Sequence, residues 1–377
     1  MTQKDIATPF FIVYEDRLRA NLALISRVGR ESGADIIMAF KANALWRTFP
    51  IVREYCRNCT ASSINELRLG AEEMGGEIHT FAPAYKPDEI DTYLALSSHI
   101  TFNSLSQYER YADKVAASKA SAGLRVNPKC SVIETDLYNP ALPGSRFGVS
   151  AEALAGGLPA GIEGLHFHAL CESSSYDLEK VLQAFEAQFG HLLPALKWVN
   201  MGGGHLMTRE GYDTEHLIRL LRDFGSRHPN LQIILEPGSA FTWRTGDLVA
   251  SVVDIVNNDG ISTAILDVSF ACHMPDTLEM PYRPDVLEEV EADKSTGVAY
   301  RLGGNSCLSG DYKGDYYFER PLRVGDRITL RDMNHYTTVK TTLFNGVAHP
   351  AMVLECRDGQ CEILRRFDYD DYKCRMS

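Results

Sequence analysis

Between residues 15 and 244 the chain repeats one pattern, a short apolar run fit for a buried strand followed by a helix-length amphipathic stretch. The apolar runs lie at residues 36–40, 59–62, 78–82, 100–103, 123–127, 161–168, 198–201 and 232–235. Segments 65–74, 87–96, 106–116, 178–193 and 214–224 place apolar residues three and four apart, as in a helix that buries one face. Parallel strands need covering crossovers, and eight of them can close on themselves, so the pattern predicts an α/β fold with a (β/α)8 TIM barrel. After residue 245 the texture changes to short runs at 247–255, 264–268, 327–330, 336–339 and 351–355, without convincing helices between them. These predict a C-terminal β-sandwich domain. The strand-like run 9–14 has no partner in the barrel and is expected to join that domain. The expected division is therefore a barrel of 15–244 and a β domain of 1–14 plus 245–377.

Several function classes are excluded early. The net charge of −12 shows no clustered Lys and Arg of the kind that tracks a phosphate backbone, so no nucleic-acid partner is expected. No apolar run is long enough to span a bilayer, and the first residues lack the pattern of a secretion signal, so no membrane partner and a cytoplasmic location are expected. The nine Cys are scattered, and the single C-x-x-C spacing, Cys56 and Cys59, has no second pair to complete a zinc site. Reduced thiols and no metal are expected.

In such a barrel, reactive groups gather at the carboxyl ends of the strands. There this sequence offers Lys41, Ser62, Ser63, Asn127, His168, Gly202 to Gly204 and Glu236. A lysine ending an apolar strand has its pKa lowered by desolvation, which suits its amine to form an imine with a carbonyl compound. A lysine snorkelling to water would read the same way. Gly202, Gly203 and Gly204 can turn consecutive N–H groups toward an anion, or simply make a sharp turn. Glu236, Pro237 and Gly238 put a carboxylate and another glycine turn at the next strand end. His166 and His168 alternate onto one face, with His168 nearer the rim. In the second domain, the glycine-bracketed loop 303–311 carries Cys307 and Asp311, a thiol and a carboxylate four residues apart. The thiol can act as a proton donor or be an inert surface cysteine.

Together these residues resemble the fold-type III pyridoxal-phosphate enzymes, the group that includes ornithine, arginine and diaminopimelate decarboxylases and alanine racemase. The likeness spans nearly the whole chain, and the barrel followed by a β domain is the alanine racemase-like arrangement. By this resemblance Lys41 matches the Schiff-base lysine and His168 the histidine that stacks on the cofactor ring. Gly202, Gly203 and Gly204 match the phosphate-binding glycines, and Glu236 with Gly238 the Glu-Pro-Gly segment that pairs with the pyridine nitrogen. Arg125 matches a strand-five arginine, residues 145–148 a Ser-Lys-Phe-Gly segment, and Tyr336 a tyrosine that contacts the phosphate. Cys307 and Asp311 match the pair that one subunit contributes to its partner's site, which implies a homodimer with shared active sites. A thiol loop, where the racemase has a catalytic tyrosine, implies a decarboxylase. Leu308 replaces the acid carried by ornithine and diaminopimelate decarboxylases at that position. Cys171 and Ser239 also depart from the common pattern. These departures, with segments 168–172 and 271–276, imply a polyamine-type amino acid as substrate, carboxynorspermidine or carboxyspermidine. Glu236, Asp276 and Asp311 are the expected substrate contacts, and Cys307 the expected proton donor.

Overall fold

The computed structural model describes residues 1–290 and 297–377. The chain divides into two compact units, one of Ala20–Phe241 and one of Met1–Arg19 with Thr242–Ser377. The first strand, β1 (Phe10–Tyr14), belongs to the second of these.

The Ala20–Phe241 unit is a barrel of parallel strands. It comprises β2 (Asp35–Ile36), β3 (Met38–Ala39), β4 (Cys59–Ala61), β5 (Ile78–Phe81), β6 (His99–Phe102), β7 (Ser121–Arg125), β8 (Ile162–His166), β9 (Trp198–Asn200) and β10 (Gln232–Leu235). Their order is β2-β10-β9-β8-β7-β6-β5-β4-β3. β2 and β3 are two halves of one pass of the chain, separated by Ile37. The N–H of Ile37 donates to the Leu235 carbonyl at 2.9 Å and that of Met38 to the Asn58 carbonyl at 3.2 Å. One pass thus bonds β10 on one side and β4 on the other, and the barrel closes on the eight passes expected from the sequence.

Helices α1 (Glu15–Ser32), α2 (Phe49–Val52), α3 (Ile64–Glu73), α4 (Ile90–Leu96), α5 (Leu105–Ala116), α6 (Ser175–Phe189), α7 (Thr214–Arg227) and α8 (Ser239–Thr242) follow in chain order. Ser63, Ser104, Ser174 and Asp213 cap α3, α5, α6 and α7 by accepting a backbone N–H of the first turn. Such caps contribute about 1 kcal/mol each. They also fix where each strand-to-helix loop ends, which sets the rim that carries the site.

In the other unit, β1, β11 (Gly246–Asn258), β12 (Ile261–Leu266), β13 (Val298–Gly303), β14 (Tyr312–Phe318), β15 (Arg327–Leu330), β16 (Ala351–Glu355) and β17 (Cys361–Arg365) form one sheet. Its order is β14-β13-β12-β11-β1-β16-β17, with β15 also on β11. The strands expected to form a sandwich are linked by hydrogen bonds into one continuous order through β11. The long β11 makes it so: its first residues pair with β1 and β15, and after an irregularity at Val252/Asp254 the remainder pairs with β12. Phe10, Ile12, Val249, Val353 and Ala351 form its buried centre.

Residues 336–339, read as a strand, form a turn. Tyr336 has φ +54°, and the Thr337 and Thr338 hydroxyls donate to the carbonyls of His335 and Asn334. Local hydroxyl-to-backbone bonds of this kind compete with sheet pairing, whatever the β propensity of threonine. The segment after β12 and the end of the chain also carry helices not expected from the sequence: α9 (Phe270–His273), α10 (Asp276–Glu279) and α11 (Tyr369–Met376). Asp368 caps α11 by accepting from the N–H groups of Asp370 and Asp371. Among the described residues, no helix is long and apolar enough to cross a membrane.

Candidate active site

At the carboxyl ends of the barrel strands lies a cavity of ≈ 510 Å³ whose lining includes Lys41, Phe81, Arg125, His166, His168 and Glu236. Residues 136–147, between β7 and β8, supply another wall. Asn103 clamps that segment, donating to the Arg146 carbonyl at 2.8 Å and accepting the Gly148 N–H at 3.0 Å.

Lys41 follows β3 and is partly exposed to the cavity. Desolvation lowers its amine pKa, with the Glu236 carboxylate the largest opposing influence. Glu236 follows β10 and is 7% exposed. Burial raises its pKa, opposed by hydrogen bonds from Asn200 and Thr60 and by the charges of Lys41 and Arg125. The Asn200 amide reaches its Oε1 at 2.7 Å, and His166 Nε2 lies 3.6 Å from its Oε2. Asn200 Oδ1 accepts the Gly202 N–H at 2.8 Å, so one amide orders both the carboxylate and the glycine run. Asn200 was not among the residues singled out from the sequence. A polar side chain in an otherwise apolar strand, two residues before a glycine run, was the available signal.

Burial holds Arg125 near a pKa of about 9, with Glu236 opposing the fall. Its guanidinium lies 4.5 Å from the Phe81 ring centre and 4.2 Å from that of Phe147, and donates to the His168 carbonyl at 3.3 Å. Two aromatic rings thus contact the guanidinium, each attracting its charge. His168 Nδ1 accepts the Gly203 N–H at 2.8 Å, which requires a bare lone pair on that nitrogen. Burial also drives its pKa well down, so His168 is neutral and oriented by the glycine run.

The glycine run departs from the expected anion nest. The Gly202 and Gly203 N–H groups are already given to Asn200 and His168, which leaves Gly204 without such a bond among the described residues. What the run supplies instead is close approach. Gly202 and Gly204 have φ of +69° and +90°. A Cβ at Gly203 would sit 2.5 Å from the Glu236 carbonyl oxygen, and one at Gly238 2.5 Å from Ala42 Cβ. Only glycine lets the strand ends meet this tightly.

The remaining predicted residues lie in the sheet unit. Cys307 is exposed, and its N–H donates to Asn345 Oδ1 at 2.7 Å. Asp311 is 5% exposed. Its Oδ1 accepts the Ala271 N–H at 3.0 Å, and its Oδ2 accepts the Ser306 N–H at 3.1 Å and hydroxyl at 2.6 Å. These bonds hold the shape of the loop that presents Cys307. Asp276 pairs with Lys340, whose ammonium also reaches Glu279 at 2.9 Å. Tyr336 sits in the positive-φ turn described above.

A desolvated lysine and a carboxylate lining one cavity, at the rim of a barrel joined in sequence to a β-sheet unit, suit an enzyme that holds a carbonyl compound as an imine. The model of the pyridoxal-dependent decarboxylase family, named for its C-terminal sheet domain, matches residues 11–334, and the chain belongs to that family. A carboxyaminopropylagmatine decarboxylase of Synechocystis sp. is 48% identical over 98% of this chain and 96% of its own length. A carboxynorspermidine/carboxyspermidine decarboxylase of Campylobacter jejuni is 44% identical over the full length of both. The crystal structure of Campylobacter jejuni carboxynorspermidine decarboxylase complexed with norspermidine superposes with a TM-score of 0.91 at 43% identity, covering 98% of this chain and 100% of that one. Diaminopimelate decarboxylase of Helicobacter pylori, at 18% identity and a TM-score of 0.80, shares the fold.

The protein is thus a pyridoxal-phosphate-dependent decarboxylase, and the cavity fits that cofactor on its own evidence. It offers an amine of lowered pKa for an aldehyde. It offers a buried carboxylate for a ring nitrogen, and in His166 a buried imidazole with neither nitrogen hydrogen-bonded.

Proposed function

We propose that the chain removes CO₂ from carboxynorspermidine and carboxyspermidine, giving norspermidine and spermidine in polyamine biosynthesis. The observation that carries this reading is the full-length likeness, at 44% identity, to an enzyme named for those two substrates. When bound, pyridoxal phosphate supplies the electron sink that lets a carbon–carboxylate bond break.

The chain's own residues do the rest. Lys41 Nζ, whose pKa desolvation lowers, is the group that would hold the cofactor covalently. Glu236, fixed by Asn200, would pair with the cofactor's pyridine nitrogen and keep it protonated, and the neutral His168 would pack against the ring. Arg125 orients the His168 carbonyl, and Gly204, Gly238 and Tyr336 are the proposed surroundings of the phosphate. Cys307, on a loop braced by Asp311, returns a proton to the carbon that loses CO₂. Asp276 and Asp311, with Glu236, are the acidic groups for the substrate's amines; Asp276 would exchange Lys340 for a substrate ammonium. The site is completed in a cytoplasmic homodimer, a compartment that suits nine unpaired cysteines.

A second reading has its own support. The 48% identity to a carboxyaminopropylagmatine decarboxylase favours a substrate that ends in a guanidinium in place of an amine. Both substrates present the same amino-acid end, so the chemistry is common and only the distal pocket differs. Purified protein with pyridoxal phosphate should be given carboxynorspermidine, carboxyspermidine, carboxyaminopropylagmatine and meso-diaminopimelate separately, following CO₂ and the amine product. Highest kcat/KM on the first two is the expected result. Preference for the agmatine derivative moves the specificity to the second reading, and turnover of diaminopimelate alone overturns both.

A further inference from the structure

We propose that Asn345 is a positioning residue for Cys307, fixing the loop that presents the thiol so that its proton reaches the substrate carbon. The proposal rests on the reading of Cys307 as proton donor given above. Both residues lie in the unit of Met1–Arg19 and Thr242–Ser377. They are 38 residues apart in sequence, and the Cys307 N–H donates to Asn345 Oδ1 at 2.7 Å.

The other bonds of the loop show what this one adds. The Gly304 N–H donates to the Asp311 carbonyl, that of Ser306 to the Asp311 carboxylate and that of Leu308 to the Ser306 hydroxyl, while Asn305 donates to the Val268 carbonyl at the base. Apart from the Val268 bond, these close within residues 304–311. They give the loop its shape; the Cys307 bond ties its exposed tip to residues 343–347. Asn345 is itself built into place. It has φ +57° and ψ 6°, a left-handed conformation in which asparagine is among the better tolerated side chains and glycine is free of strain. Glycine would make this turn more easily, so asparagine retains an oxygen that the turn alone does not require. The turn is also braced from outside. Cys272 Sγ donates to the Phe344 carbonyl at 3.4 Å, and the Thr342 N–H to the Cys272 carbonyl at 2.8 Å. A Cβ at Gly346 would lie 3.3 Å from the Tyr372 ring, so α11 packs against the same turn.

An acid must stand within hydrogen-bond reach of the atom it protonates. If the thiol is displaced, the carbon that has lost CO₂ waits, and another acid can place the proton on the cofactor instead. Water then splits the C–N bond. The substrate nitrogen stays on the cofactor as an amine, the water oxygen goes to the product, and an aldehyde leaves in place of the amine. The identity of the product therefore reports where the thiol stands.

Three variants of the holoenzyme test this: Asn345→Gly, which deletes the oxygen and keeps the turn; Asn345→Asp, which keeps an oxygen; and Cys307→Ala as reference. In Asn345→Gly the Cys307 amide should exchange its hydrogen faster than in wild type, with or without cofactor. Amine formation should fall in kcat by roughly 10- to 100-fold with KM within about threefold, the cost of a misplaced catalytic group. The share of turnovers ending in aldehyde should rise as it does in Cys307→Ala. Asn345→Asp should restore both exchange and product. Asn345→Gly with the wild-type product ratio, while Cys307→Ala yields aldehyde, would overturn the positioning role and leave the proton donor standing. Clean amine from Cys307→Ala would overturn both together. Asn345→Asp no better than Asn345→Gly would show that the oxygen is not the cause, which also overturns the proposal.

Discussion

Lys41 and Glu236 face one cavity, and burial pushes each toward its neutral form while the charge of the other resists. Removing the carboxylate's charge therefore does two things. It releases Lys41 to a still lower pKa, and it removes the group proposed to keep the cofactor ring nitrogen protonated. Glu236→Gln, which can still bond Asn200, should retain cofactor but lose kcat by roughly 10²–10³-fold, the effect of deleting one electrostatic partner from a dry site. Steady-state kinetics at cofactor occupancy checked by absorbance decides it; kcat within threefold of wild type would mean the carboxylate has no such role. Lys41, His168 and Glu236 were legible in the sequence because each is polar and ends an apolar run. Asn200 was not, because alternation says only that it points inward. Its two partners, Glu236 and Gly202, come from another strand and a turn that only the closed barrel brings together. The same holds for the glycine N–H groups, whose engagement with Asn200 and His168 no spacing rule reports.

Trp198 of β9 is 2% exposed and fills the barrel interior against Ile37 and Ile234, its indole N–H donating to Ser121 Oγ at 2.8 Å. It reaches across β8 to β7, and two strand glycines make room for it. A Cβ at Gly164 would lie 2.0 Å from the indole, and one at Gly123 2.2 Å. Gly164→Ala should therefore destabilise the protein by about 1–3 kcal/mol, the cost of overpacking a filled core. Urea unfolding measures this, and a change under 0.5 kcal/mol, within the ordinary scatter of surface substitutions, would show that the indole moves aside freely. The barrel strands themselves were legible as apolar runs bounded by polar ends, yet these glycines, lying inside two of the runs, gave no sign of what they accommodate. In the sheet unit the reading was poorer. Residues 336–339 carry threonines that favour strands, but their hydroxyls bond the local backbone and make a turn. β13, β14 and β17 were missed because strands such as Tyr312–Phe318, with only two of seven residues buried, show little of the apolar alternation that sequence reading depends on.

At the scale of the whole molecule, Lys41 belongs to the Ala20–Phe241 unit and Cys307 to the unit of Met1–Arg19 and Thr242–Ser377. The proposed mechanism needs both at one substrate carbon, and the proposed homodimer supplies them from different chains. In a two-fold dimer each site then takes Lys41 from one subunit and Cys307 from the other, and the second site follows by symmetry. This arrangement makes a quantitative prediction. Lys41→Ala and Cys307→Ala, each inactive for amine formation alone, should regain activity when mixed under conditions that allow subunit exchange. Half of the reassorted dimers carry one chain of each kind. In every such dimer one site has both defects and the other has none, so activity should return to about a quarter of the wild-type value. Sites built within one chain would give no recovery, because every chain then carries a damaged site. Recovery to about a quarter in the exchanged mixture, and to about half in mixed dimers isolated by differential tagging, would place the two residues on different subunits, whereas absence of recovery despite proven exchange would assign Lys41 and Cys307 to the same chain.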